Sequence, residues 1–353
     1  MAAKQSIMVA DWMLSPEVYL KRHRLHGVLS QEWRLDNLLQ RKAREGVMIY
    51  LFAWKDMIAG CGSARAEDYF NKLHKNITMV RHRWGAKSMG GQMPGKNMIW
   101  SHHQKFVVVD NAVAFVGGID LAYGRYDTHA HAICDCEDPQ LYPGADFVNP
   151  QIKGCGRSDD CLARPFLDNP NVKRWRDNRM PWHDIHCCIN GPAASDVAHN
   201  FVSKWNHHRS EEKNSALPPI PVWPGPFCNP WQFPGGWNGS KAQVVRSLGG
   251  WAGSPGQSTE KSIYNAYEKL IKGAKHYIYM ENQVRCGVRS LRLSFSPWGL
   301  AARPPTRDPL DVALTHPPRY IRHYRARTHA WHACPPLPLL PHSYLSVLHF
   351  HVS

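Results

Sequence analysis

The chain has 353 residues, 43% of them hydrophobic, and carries 43 Lys plus Arg against 28 Asp plus Glu for a formal net charge of +15. That length suggests two domains and that apolar content at least one sizeable core, which excludes a wholly disordered or fibrous chain. No apolar run approaches the roughly 20 residues of a membrane-spanning helix. The first 20 residues contain Asp11 and Glu17 and no basic-then-apolar leader, so the sequence reads as cytosolic, with its 10 cysteines as reduced thiols.

Leu35, Leu38 and Leu39 share one face of a predicted helix, Gly46 stands where its C-terminal cap belongs, and residues 47–54 follow as a buried strand. A strand pair is predicted within 105–119, with Asp110-Asn111 as its tight turn. Residues 179–185 (RMPWHDI) read as a core strand, and residues 216–240, rich in Pro, Gly and Trp, as a linker with aromatic anchors. Ile263, Ala266, Tyr267, Leu270, Ile271 and Ala274 make a second apolar helical stripe, and a strand is predicted over 277–280. Residues 284–353 differ in kind. They hold nine Arg, no Lys, two Asp and no Glu, so +7 of the +15, with ten Pro and seven His. Little fixed fold is expected there. The composition fits either a shifted reading frame or a Pro/Arg-rich tail that binds anionic surfaces.

The chemistry concentrates in residues 100–120, WSHHQKFVVVDNAVAFVGGID. Residues two apart in a strand face the same way, so His103 and Lys105 project together while Gln104 and Phe106 face the other side. Gly117-Gly118 lets backbone approach a ligand closely, and Asp120 adds a polar group beside them. A neutral imidazole suits attack at phosphorus, and a lysine offsets the charge that phosphoryl oxygens gain, so the pattern suits phosphodiester cleavage. His102 faces away and reads as structural. Asp110 is placed to organise the turn or to bond a neighbour rather than to take a proton. His129, His131, Cys134 and Cys136 cluster, but CxC is not a chelate spacing and Cys155, Cys161, Cys187 and Cys188 give no regular second pair, so no metal is expected. No glycine-rich nucleotide loop occurs. The basic runs 21–24 and 173–176 read as solvated faces sooner than as lipid contacts.

The spacing His103-x-Lys105-x4-Asp110-x6-Gly117-Gly118-x-Asp120, within residues 98–125, resembles the HKD signature of the phospholipase D superfamily in its eukaryotic form. Residues 11–20 (DWMLSPEVYL), 33–46, 115–125 (FVGGIDLAYGR), 179–185 and 277–283 (YIYMENQ) resemble the same enzymes in the same order, so the likeness runs over roughly residues 10–283. It implies an α/β fold, a phospholipase D-like sandwich of helices around a mixed β-sheet. The first half would span 1–215, and 241–283 would begin a second pseudo-repeat. His103, Lys105 and Asp110 would be catalytic, with His103 forming a phosphohistidine. Gly117, Gly118 and Asp120 would bind substrate, and Trp182, His183, Asp184, Glu281, Asn282 and Gln283 would lie beside the site. The implied reaction is hydrolysis of phosphatidylcholine to phosphatidic acid and choline, or transfer of the phosphatidyl group to an alcohol, by a cytoplasmic protein at the membrane periphery. No cofactor is implied, although phosphoinositide activation is.

Relatives carry two HKD motifs, one in each half, with the second histidine protonating the leaving alcohol. Here HxK occurs once and no Lys follows Lys275, so the chain is expected to be truncated before the second motif. Three readings stay open: a phospholipase D, a catalytically dead fragment that still binds phospholipid, and a single-HKD nuclease acting as a dimer. The net charge of +15 favours the last through phosphate attraction, but the lipase-like stretch 179–283 does not, and no specific nucleic acid is expected. An uncovered half-to-half interface implies self-association.

Overall fold

The computed structural model describes residues 3–25, 28–55, 62–82, 101–135, 141–149, 152, 165–211, 219–220, 241–254, 258–280, 342–343 and 345–350. It divides into two compact units, Met1–Asn265 with Pro341–Ser353, and Ala266–Leu340. In chain order the first unit contains β1 (Ser6–Asp11), the small hairpin β2 (Arg24–Leu25) and β3 (Val28–Leu29), α1 (Leu35–Arg44), β4 (Met48–Trp54), α2 (Ser63–Leu73) and β5 (Ile77–His82). Then come β6 (Ser101–His102), β7 (Phe106–Val109), β8 (Val113–Gly117), β9 (His186–Asn190), α3 (Pro192–Glu211), β10 (Lys241–Leu248) and β11 (Glu260–Lys261). α4 (Ser262–Gly273) runs from the first unit into the second. The last strands are β12 (His342–Ser343) and β13 (Leu345–Phe350).

One six-stranded sheet, ordered β5-β4-β1-β7-β8-β9, organises the first unit. β1, β4 and β5 are parallel and joined through α1 and α2, while β7, β8 and β9 run antiparallel. Every residue of β1 is buried, as a central strand covered on both faces requires. Side-chain alternation divides the core. Ile7, Val9, Ile49 and Leu51 pack on Leu35, Leu39 and Phe70 of α1 and α2. Met8, Phe52, Phe106 and Val116 pack on Phe201 and Trp205 of α3. Gly46, with φ +92°, ends α1 in the left-handed region expected of a cap, and basic Arg41, Lys42 and Arg44 complement the helix dipole there.

Several expectations do not hold. Residues 179–185 form no strand: Pro181 interrupts them, the Arg179 and Met180 amides donate to Ile133 O and Val148 O in loops, and the strand begins only at His186. Residues 277–280 are not a strand either, and Tyr277 and Tyr279 are 85% and 78% exposed. α4 forms where its stripe was predicted, yet Tyr264, Tyr267 and Leu270 on it are exposed. The tail is not wholly irregular, because β12 pairs with β6 and β13 with β10. Those strands lie in residues 342–353 (HSYLSVLHFHVS), which hold no Pro or Arg. Of the linker, Pro219 and Ile220 are described, and Ile220 is buried and pinned to Asn206 of α3 through both its N–H and C=O.

Candidate active site

Sheet register builds the centre of the site. Ala10 pairs with Phe106 and Phe106 with Val116, so one step further along each strand Asp11, Lys105 and Gly117 lie in a row, with the Gly117 N–H donating to Lys105 O at 3.3 Å. All three occupy the face away from α3. Residues 103–105 are not strand, but the expected alternation persists. The His103 ring lies 5.1 Å from that of Trp12, and Lys105 Nζ lies 5.8 Å from the same indole. His102 and Gln104 turn the other way. Lys204 Nζ sits 2.7 Å from His102 Nε2 and donates to Gln104 Oε1, which also accepts from Asn200 at 3.0 Å. The structural reading of His102 agrees with its complete burial against α3.

A buried charge cluster supports the site. Lys105 Nζ lies 3.2 Å from Asp120 Oδ1, and Arg125 Nη1 lies 3.4 Å from Asp120 Oδ2. Asp120 Oδ1 also accepts the N–H groups of Trp12 at 3.0 Å and Met13 at 3.2 Å, while Asp11 Oδ2 accepts that of Leu121 at 3.2 Å. These bonds fasten the loop after β1 to the loop after β8. Burial pushes the Asp11 carboxyl well above its usual range and the Asp120 charge adds to this, against Lys105 and Arg125. Burial likewise pulls Lys105 down, against Asp120 and Asp11. Lys105 and Arg125 thus face Asp120 together, with the Asp11 and Asp184 carboxyls beside them.

The remaining predicted residues divide. Asp120 is brought to Lys105. Trp182 covers Arg125, its ring centroid 3.7 Å from the guanidinium carbon, and burial pushes Asp184 up against the pull of Arg125 and Lys105. Gly117 and Gly118 make room for the chain itself rather than for a ligand. A Cβ on Gly117 would lie 2.1 Å from His186 Nδ1, and one on Gly118 would lie 2.1 Å from Asp184 Oδ1. His183 packs instead on His131, centroids 3.9 Å apart, and His131 Nδ1 bonds Asp127 at 2.6 Å. Asp110 is not brought to the site. It sits at the far end of β7, about 17 Å from Lys105 at about 3.3 Å per residue, and its carboxylate accepts the N–H groups of Lys4, Gln5 and Ser6. Glu281, Asn282 and Gln283 lie outside the described residues.

The basic runs are mostly solvated where they are described, with Lys21, Lys173 and Arg176 exposed, although several of their charges have partners. Arg22 pairs with buried Asp146, Lys21 lies over Trp33, Arg174 pairs with Asp135 and Asp168, and Arg176 pairs with Asp177. Among the described residues no group of three or more His, Cys, Asp or Glu is placed to hold a metal. The sequence alone names none of Asp11, Trp12, Arg125 and Lys204 as site residues, although the first two open DWMLSPEVYL and Arg125 closes FVGGIDLAYGR.

Fold and site together define an α/β protein of the HKD type, with one histidine–lysine pair set on a buried carboxylate–guanidinium cluster. The chain belongs to the phospholipase D family, whose model, described as Phospholipase D, matches residues 1–222. Phospholipase D A of Dictyostelium discoideum is 40% identical over 289 residues, 80% of this chain and 20% of that protein. Phospholipase D1 of Schizosaccharomyces pombe is 34% identical over 294 residues, with the same 80% and 20% coverage. Phospholipase D2 of Bos taurus is 33% identical over 308 residues, 80% of this chain and 31% of that protein. The chain thus spans between 20% and 31% of the length of these relatives. The solved structure of a phospholipase D family member, Nuc from Salmonella typhimurium, is similar at 16% identity over 34% of this chain and 59% of that one, with a TM-score of 0.22.

Proposed function

We propose that this chain carries the nucleophile half of a phospholipase D site and acts on phosphatidylcholine at a phospholipid surface. His103 attacks phosphorus, the phosphorus–oxygen bond to choline breaks, and the choline oxygen takes a proton. Water then attacks the phosphohistidine, the phosphorus–nitrogen bond breaks, and phosphatidic acid leaves. An alcohol in place of water gives the transfer product. Lys105 places positive charge beside the phosphoryl oxygens as they gain negative charge. The observation that carries this reading is the buried Lys105–Asp120 pair at 3.2 Å, set with His103 against one indole, Trp12. The membrane contact in this proposal is peripheral, and among the described residues no helix is long and apolar enough to cross a bilayer.

The test compares the chain with His103→Ala on phosphatidylcholine vesicles containing an anionic phosphoinositide, with ethanol present. Choline and phosphatidylethanol are expected from the chain, and a loss of about 10³-fold or more in the variant. Equal background from both would refute the proposal.

A further inference from the structure

Arg174 gathers three stretches of chain. Its Nη1 pairs with buried Asp135, its Nη2 lies 2.6 Å from Asp168 Oδ1 and 3.0 Å from Tyr142 O, and its guanidinium carbon stands 4.9 Å from the centroid of the Phe147 ring. Each stretch bears an exposed apolar side chain within two residues of these bonds: Ile133 before Asp135, Phe166 and Leu167 before Asp168, and Trp175 after Arg174. Trp175 is 78% exposed and Leu167 60%. A tight turn holds residue 175 at its crest. The Arg176 and Asp177 N–H groups donate to Lys173 O at 2.8 and 2.7 Å, and the Lys173 N–H donates to Asp177 Oδ2 at 2.7 Å. An ordered turn that keeps an indole in water forgoes the burial that so large a side chain gains elsewhere, and several such side chains brought together mark an interaction surface.

Charge and position select the partner. Asp135 is buried on Arg174, and Asp177 is held on Arg176 with its side chain 12% exposed, so the exposed charges around Trp175 are Lys173 and Arg176 against Asp168, a cationic rim. Tryptophan flanked by lysine and arginine is the composition that settles at the headgroup level of a bilayer. The patch also continues into the site. The Arg179 N–H donates to Ile133 O at 2.7 Å, and the segment that begins there carries Trp182 over Arg125, which shares Asp120 with Lys105. At the end of that segment the exposed Ile185 accepts the Gly118 N–H on its C=O at 3.2 Å. We propose that the loop 166–177 docks on the surface of a phospholipid bilayer, with the Trp175 indole and the Leu167 side chain entering the headgroup region and Lys173 and Arg176 resting on lipid phosphates. The inference rests on the reading that this chain acts at a phospholipid surface, and it adds which face meets that surface.

The test sediments sucrose-loaded vesicles of phosphatidylcholine and phosphatidylserine with the full chain, Trp175→Ala, Trp175→Phe, Lys173→Gln and His103→Ala, and reads the bound fraction. Trp175→Ala is expected to lose about tenfold in partitioning, while Trp175→Phe stays within about threefold of the parent. Lys173→Gln is expected to lose about threefold on these vesicles and nothing on phosphatidylcholine alone. His103→Ala is expected to bind as the parent does. The exposure of Trp175 predicts a parental urea midpoint for Trp175→Ala, so that its loss is one of contact and not of fold. Partitioning of Trp175→Ala equal to that of the parent would overturn the docking face. So would a Trp175→Ala that binds vesicles fully but elutes at a smaller mass than the parent, which would give the patch to a second copy of the chain. Choline release is read separately: vesicle binding that depends on Trp175 in a chain that releases no choline would refute the proposed reaction and leave the docking face standing.

Discussion

Asp110→Ala removes a carboxylate that accepts three backbone N–H groups at the head of β1, from Lys4 at 2.8 Å, Gln5 at 2.8 Å and Ser6 at 2.9 Å. Bonds to a charged acceptor contribute about 1.5 to 3 kcal/mol each when water cannot replace them. The first two are exposed, where water substitutes and about 0.5 kcal/mol each remains, while the partly buried Ser6 bond keeps about 1.5 kcal/mol. Asp110 also has φ +51°, a left-handed conformation that Asp, Asn and Gly tolerate and Ala does not, adding about 1 kcal/mol. Asp110→Ala is therefore expected to destabilise by about 3.5 kcal/mol, Asp110→Gly by about 2.5 kcal/mol, and Asp110→Asn, which keeps one acceptor, by about 1 kcal/mol. Urea unfolding followed by tryptophan fluorescence checks the order. Choline release per folded molecule should stay within about threefold of the parent in the Asn variant. An Asn variant as stable as the parent but impaired about 10²-fold or more in turnover would refute this reasoning and restore Asp110 to the chemistry.

Burial holds Lys204 well below the ordinary lysine value of 10.5, with Arg246 adding, and holds His102 well below 6.5, with Lys204 adding. The unfolded chain binds these protons more readily, so stability rises with pH up to about 6.5 for His102 and about 10.5 for Lys204. Urea midpoints should climb from pH 6 to pH 9, and Lys204→Met should flatten the climb above pH 7; an unchanged slope would count against a neutral buried lysine. Tyr264, Tyr267 and Leu270 are 54%, 51% and 42% exposed on α4, so the chain is expected to self-associate. Size exclusion with light scattering should report a mass above 40.2 kDa, falling towards it in Tyr267→Lys, and a monodisperse monomer of the parent would refute this.

Much of the fold was legible because it is written locally. α1, β4, the β7–β8 hairpin and α4 announce themselves by period and by capping, and the parity of His102, His103, Gln104 and Lys105 follows from alternation alone. What stayed hidden depends on distant partners. Asp11 and Trp12 reach Lys105 only because β1 pairs with β7, across about a hundred residues of sequence. The strands 342–343 and 345–350 pair with Ser101–His102 and with β10, partners about 100 to 240 residues away that no local pattern names. Residues 179–185 misled in the opposite direction, since their apolar and aromatic content serves burial of Trp182 over Arg125 rather than a sheet ladder. Gly117 and Gly118 suggested room for a ligand, whereas the space is taken by Asp184 and His186.

Asp110 and Asp120 look alike in the motif and lie at opposite ends of β1, which gives the structural one a consequence for the chemical one. Asp110 accepts the amides of Lys4, Gln5 and Ser6 before and at the start of β1, and Asp120 accepts those of Trp12 and Met13 just after its end. Both carboxylates belong to the β7–β8 hairpin or the loop that follows it, so the hairpin grips β1 at two points. A slip of one residue between β1 and β7 would break both grips together. It would also exchange faces, turning His103 and Lys105 towards α3 and away from Asp11 and Trp12 of β1 and its loop. The two imidazoles are chemically equal and adjacent, so it is the register that makes one a buried partner of Lys204 and leaves the other beside Trp12 and Lys105. Asp110, about 17 Å from Lys105, thus helps fix which histidine lies beside that lysine.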